Sequence, residues 1–241
     1  MAYDNLDCEK IIEMIRRLGK RIEARFPDSD LFRVCQALLE ISRRAHQRTL
    51  WIARPIIWLR FTICLLIAFI CVGVCTTLVM LPIRMKTITI DVFIPVLEAA
   101  TSEIVVLGAG LFFLISIEKR IKSKRALVAI HEIRSVAHII DMHQLTKDPE
   151  QILNPGRVTS SSPKMTLSHF ELGRNLDYCS ELLSLTGKIA ALYVQQFYDA
   201  IALASATEVE SLVTGLSRKI WQKIMILHSF EHNKLIMAST P

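Results

Sequence analysis

Four polar side chains in residues 130–144, which read IHEIRSVAHIIDMHQ, have types and spacing suited to chemistry. His131, Arg134, His138 and Asp141 recur at offsets of three, four and three, so consecutive turns of one helix carry them on one face. His138 and Asp141 offer an imidazole and a carboxylate one turn apart, the beginning of a metal site. A third ligand is missing, Arg134 puts a cation on the same face, and His131 lies two turns from His138. The expectation is therefore no metal and no cofactor. The stripe instead predicts a buried hydrogen-bonded network between packed helices, with a pH-responsive face as the alternative because histidine titrates near neutrality.

A second pattern is His228-Ser229-Phe230-Glu231-His232, an HxxEH match. In zinc proteases this spacing sets two histidines on one helix face with a carboxylate as base. Only nine residues follow it, none of them an acidic third ligand. No GxGxxG, GxxxxGK, GxSxG or CxxC pattern occurs. No catalytic residue is assigned, and the expectation is a non-enzymatic protein, with a metal-dependent membrane enzyme using the His131, His138 and Asp141 stripe as the weaker alternative.

The third feature is Glu103, with Glu98 one turn and a half before it. An ionisable group inside an apolar segment is a functional candidate by default, so the surrounding segment decides what it does. Residues 61–81, FTICLLIAFICVGVCTTLVML, hold no charge. At 1.5 Å per residue the run reaches about 31 Å, the thickness of a hydrocarbon core. Trp51, Arg54, Pro55, Trp58 and Arg60 precede it, as headgroup-level aromatics and arginines do. A second apolar stretch, 92–117, includes Pro95, Glu98 and Glu103. Measured from Ile117, Glu103 is about 21 Å deep and Glu98 about 28 Å, near the far headgroups. Ala99, Glu103 and Gly110 share a face, whose small residues permit close helix contact.

These elements define the architecture. Spans over about 56–82 and 92–117 form an antiparallel transmembrane hairpin. Basic residues crowd its two outer flanks (Arg43, Arg44, Arg48, Arg54 and Arg60 before it; Lys119, Arg120, Lys122, Lys124 and Arg125 after it), against Arg84 and Lys86 in the connector. That bias places both termini in the cytoplasm. Reduced cysteines are expected there. In the first span Cys64, Ala68, Cys71 and Cys75 predict a helix-packing seam.

The flanks read as amphipathic helices. Ile11, Ile15, Leu18, Ile22 and Phe26 make one stripe, and after Pro27 a second runs through Leu31, Val34, Leu38, Ile41 and Ala45. Ser29 or Asp28 caps the second helix, whose other face carries Arg33, Arg43, Arg44 and Arg48. Ile130, Ile133, Ala137 and Ile140 centre a helix over 119–145. Residues 146–167 form a flexible loop. A helix over about 168–204 has Gly173 and Gly187 as points of bending, and its Gln195, Gln196 and Asp199 exclude a third span. The last helix, about 207–230, repeats Val209, Val213, Leu216, Ile220, Ile224 and Leu227 in a near-heptad. Arg218, Lys219 and Lys223 complement its dipole.

The 241 residues, 51% of them hydrophobic with a net charge of +6, thus predict an all-α fold. A cytoplasmic helical hairpin or stalk covers 1–54, the transmembrane hairpin 55–118, and cytoplasmic helices 119–145 and 168–241 pack as a bundle. Because the basic residues cluster beside the spans, no nucleic-acid partner is expected. The chain reads as a multi-pass protein of the inner (plasma) membrane, contacting the bilayer, acting by self-association as a homo-oligomer and by binding a cytoplasmic protein. The alternative is an oligomeric ion channel or transporter subunit with Glu103 near the conduction path.

Overall fold

The computed structural model describes residues 6–80, 90–149, 167–195 and 199–239; side chains at 53, 74, 76–80, 90–97, 99–100, 103 and 231–239 lie outside the description. Among the described residues the helices are, in chain order, α1 (Cys8–Arg25), α2 (Asp30–Ala53), α3 (Ile57–Met80), α4 (Ile90–Leu145), α5 (His169–Gln195) and α6 (Ala200–Ser239). No strand occurs among the described residues. The chain divides into two compact units. One combines Met1–Ala53 with Arg125–Pro241, and the other is Arg54–Lys124; α4 contributes residues to both.

In the first unit the apolar stripes meet. Ile15, Leu18, Ile22, Leu38, Ile130, Ile133, Ile140 and Ile220 are fully buried, and α5 packs against α1, α2 and α6. Each such aliphatic side chain contributes roughly 1.5–3 kcal/mol on burial. The central element is α5, whose buried residues occupy most of its circumference. Two buried aliphatic hydroxyls are satisfied within their own helices: Ser42 donates to the Leu39 carbonyl at 2.7 Å and Thr186 to that of Leu182 at 2.8 Å.

Caps fix where the helices begin. The Asp7 carboxylate accepts from the amides of Glu9 and Lys10. Between α1 and α2, Asp28 takes a left-handed backbone (φ 56°), a conformation that Asp tolerates better than most residues. The Ser29 hydroxyl then accepts from Phe32 N at 3.2 Å. At α5, Ser168 and Glu171 form a reciprocal capping box: Ser168 N donates to Glu171 Oε2 at 2.8 Å, and Glu171 N to Ser168 Oγ at 3.3 Å.

Three boundaries differ from the sequence expectation. Gly173 and Gly187 do not interrupt α5, which ends at Gln195; Asp199 then caps α6 by accepting from Ile201 N and Ala202 N at 3.2 and 3.0 Å. Consequently α6 starts seven residues before Thr207 and runs to Ser239. The helix predicted over 119–145 and the stretch from about residue 92 form one continuous helix, α4. The expected loop lies for the most part outside the described residues, as does the connector between α3 and α4.

The second unit has the opposite surface chemistry. One helical stretch, Asp30–Gly73, contains a window long and apolar enough to cross a membrane by length and composition, and none of that window is buried within the protein. In sequence the window falls on α3. Trp58, Phe61 and Phe69 are 86%, 67% and 75% exposed, and Phe112 on α4 is 74% exposed, burial states that water would penalise. On α3 the less exposed residues are Leu59, Ile63, Leu66, Ile70 and Gly73; on α4 they include Leu107, Gly110, Leu111 and Leu114. Both sets have the three-and-four spacing of a packing seam. A Cβ at Gly110 would lie 4.0 Å from Leu66 Cδ2, so the small residue does admit a close neighbour. The cysteine stripe is not this seam: Cys64, Cys71 and Cys75 are exposed, because the interlocking face of α3 is the one carrying the larger Leu66.

Candidate functional site

The polar stripe on α4 does not converge. The Ile130, Ile133, Ala137 and Ile140 line takes the buried side, which turns His131, Arg134 and His138 outward; all three are exposed. Arg134 Nη1 reaches Glu208 Oε2 on α6 at 3.2 Å. Half-buried Asp141 accepts at 2.6 Å from Gln144 Nε2 one turn on. The expectation of a buried mutual network is thus corrected: one helix cannot bury two adjacent faces when only one carries the apolar line. Among the described residues, no group of three or more His, Cys, Asp or Glu side chains is disposed to hold a metal ion. In the HxxEH pattern, His228 is exposed, and the side chains of Glu231 and His232 lie outside the described residues.

A largely buried polar cluster sits instead at the end of α4, where Gln144, Lys147, Asn175, Cys179 and Lys223 meet. Lys147, just past the helix, donates from Nζ to Asn175 Oδ1 on α5 at 2.8 Å. Asn175 is buried, and the Cys179 thiol lies 3.9 Å from the same oxygen. From α6, Lys223 Nζ donates to the carbonyls of Gln144 at 2.9 Å and Lys147 at 3.2 Å. The Gln144 carbonyl also accepts from Lys147 N at 3.2 Å, and the ammonium answers the partial negative charge that a helix end carries. Burial pushes both lysines below their ordinary value and pushes the Cys179 thiol up to about 11. Gln144 is itself buried, and its Oε1 has no hydrogen-bond partner.

Sequence reasoning missed this cluster. Lys147-Asp148-Pro149 reads as a helix end, which is the one usable signal, but Asn175 lies 28 residues on and Lys223 76 residues on. By sequence alone Lys223 complements the dipole of its own helix. Because α6 continues to Ser239, Lys223 is mid-helix and serves the end of α4 instead.

Two arginines of α2 are likewise engaged. Arg48 Nη1 donates to Glu132 Oε2 at 2.5 Å, and Arg44 Nη2 lies 3.4 Å from Oε1 of the same carboxylate. Its bond to Glu132 holds the Arg48 guanidinium above its ordinary range. Arg125 stacks over Trp51 with its guanidinium carbon 3.7 Å from the ring centroid, a cation–π contact.

In the second unit Glu118 accepts from Lys122 Nζ at 2.8 Å and from Ile56 N at 3.5 Å. These donors, Lys122 foremost, hold its carboxyl below the usual range despite partial burial. Glu98 is exposed on α4. Glu103 belongs to the same helix, and its side chain lies outside the described residues. Among the described residues, the contacts above do not join a nucleophile, a base and an orienting group in one cleft. No protein-family model, curated protein or solved structure matches the chain.

Proposed function

We propose that the chain is a non-enzymatic, multi-pass membrane protein of the inner (plasma) membrane that acts by self-association and protein interaction through a cytoplasmic helical bundle. The observation that carries this reading is the contrast between the two units. Residues of Met1–Ala53 and Arg125–Pro241 bury their own aliphatic core. Residues of Arg54–Lys124 turn large apolar side chains outward, on α4 as well as on α3: Ile104 is 70% exposed and Phe113 65%. Lipid satisfies that surface and water does not.

The two-span hairpin draws support from register. Ile56 N meets Glu118, and ten residues further along α3 Leu66 approaches Gly110, eight residues back along α4. Neighbours that ascend on one helix and descend on the other are antiparallel. The bias of basic residues then puts both termini in the cytoplasm.

Reporters fused before Met1 and after Pro241 test the topology together with single-cysteine probes. Both reporters are expected on the cytoplasmic side, and probes at Lys86 or Thr89 are expected to be labelled from outside. Outside labelling at Ser161 would overturn the two-span arrangement.

A further inference from the structure

The exposed strip along α6 has a symmetry that its buried stripe lacks. Thr214 lies at its centre. Four residues before it is Glu210 and four after is Arg218; seven before is Thr207 and seven after is Trp221; eleven before is Leu203 and eleven after is Met225. All seven are exposed, the three large apolar ones by 55% (Leu203), 62% (Trp221) and 59% (Met225). The offsets of three and four keep them on one helical face. Glu210 and Arg218 are opposite charges about 12 Å apart along the axis, too far to meet within the chain. Neither has an ion-pair partner among the described residues. The two threonine hydroxyls are satisfied locally, Thr207 donating to the Leu203 carbonyl at 3.0 Å and Thr214 to that of Glu210 at 2.7 Å. Their methyl groups are therefore free to face a dry contact.

We infer that this strip is a self-complementary interface on which a second copy of the chain lays its own α6 antiparallel, with a two-fold axis beside Thr214. The inference rests on the self-association reading above and names its surface and register. A two-fold interface uses one patch on both copies. Reversal about Thr214 sets Glu210 against the partner copy's Arg218, twice. It also sets the small Thr207 against bulky Trp221, and Leu203 against Met225. Apolar residues then meet apolar ones, a small residue faces a large one, and each charge finds its opposite. A parallel arrangement would stack Glu210 on Glu210 and Arg218 on Arg218, which disfavours it. An unrelated acidic or basic partner would satisfy only one of the two charges, so a second copy is the better occupant.

Charge exchange on the full chain in mild detergent, read by sedimentation across a concentration series, tests the interface. The wild-type protein is expected to dimerise. Glu210→Arg alone and Arg218→Glu alone each create two like-charge contacts and should weaken the dimer roughly tenfold. The double variant exchanges both signs and should restore it. Thr214→Arg, which sets like charges on the axis, should weaken it whatever the fate of the other variants. All of these side chains are exposed, and unchanged circular dichroism will establish that the bundle is intact. Singles that weaken and a double that does not recover would overturn the antiparallel register. A wild-type oligomer indifferent to every variant would overturn this surface while leaving self-association standing. A wild-type protein monomeric at all concentrations would overturn both.

Discussion

Lys223 reaches from α6 across to the last turn of α4 and donates to the Gln144 carbonyl at 2.9 Å. The contact joins two helices that are separated in sequence by the whole of α5. It adds a second donor to a carbonyl that already accepts from Lys147 N at 3.2 Å in the closing turn, and it does so with a half-buried ammonium whose own desolvation offsets part of the gain. Lys223→Met keeps most of the aliphatic stem and removes the donor. It is expected to lower bundle stability by about 1–2 kcal/mol, less than a fully buried charged hydrogen bond would give. Thermal or denaturant unfolding followed by circular dichroism measures this. A neutral result would mean that water replaces the ammonium without cost.

Two glycines on α5 should respond with opposite signs. At Gly187 an added Cβ would stand 3.0 Å from Cγ2 of Val213, a stiff, buried β-branched side chain on α6. Gly187→Leu should therefore cost about 1–3 kcal/mol through overpacking. At Gly173 an added Cβ meets nothing within 4 Å. Gly173→Ala should stabilise the helix by up to about 1 kcal/mol, the difference in intrinsic propensity. Equal melting temperatures for the two variants would contradict the close approach of α5 and α6.

The stripes and the clusters explain how much of this fold was legible from sequence. Ile15, Leu18 and Ile22, or Ile220, Ile224 and Leu227, announce their burial by spacing alone, because periodicity is a local property and burial follows from it. The cap at Ser29 is similarly local. The partners of polar groups are not local. His131 and His138 sit beside an apolar line, and only the packing of α4 decides which side faces water. Asn175 gives no sign in sequence that Lys147 will reach it. The face of α3 turned to α4 is hidden for a related reason: small residues permit close approach but do not compel it, and Leu59, Ile63, Leu66 and Ile70 fit the same spacing rule as the cysteine stripe.

Alkaline pH should loosen the bundle through its buried thiols. Burial raises Cys35 from 9.0 to about 12, and its Sγ lies 3.6 Å from the Ile15 carbonyl. A group whose folded value is raised contributes stability that is fully present below pH 9 and is lost as pH rises through about 12. In that window the unfolded chain releases a proton that the folded chain retains. Cys35→Ala removes the titrating group, so its stability should fall less steeply above pH 9 than the wild type's, despite a lower starting value. Unfolding in reducing buffer at pH 8, 9 and 10 compares the two slopes. Parallel curves would show that Cys35 is no more shielded from water than a free thiol.

Glu103 separates the interaction reading from the pore reading. If the helix through 92–117 crosses the bilayer, Glu98 lies about 7.5 Å nearer the far surface than Glu103. A carboxylate at span depth is costly unless a partner, a proton or water relieves it. In a pore assembled from several hairpins the relief is water, and Glu103 would supply a ring of negative charge that favours cations. In a dimer joined by its cytoplasmic helices no such ring exists, because two hairpins cannot enclose a conduction path. The proposed function therefore expects liposomes carrying the wild-type protein to pass no small cation or anion. It also expects Glu103→Gln and Glu98→Gln to leave dimerisation in detergent unchanged. A cation flux in the wild type that drops sharply in Glu103→Gln and less in Glu98→Gln would establish the pore instead. The loss must track depth in the span, since removing a surface charge at either position would lower cation flux by similar, salt-screened amounts.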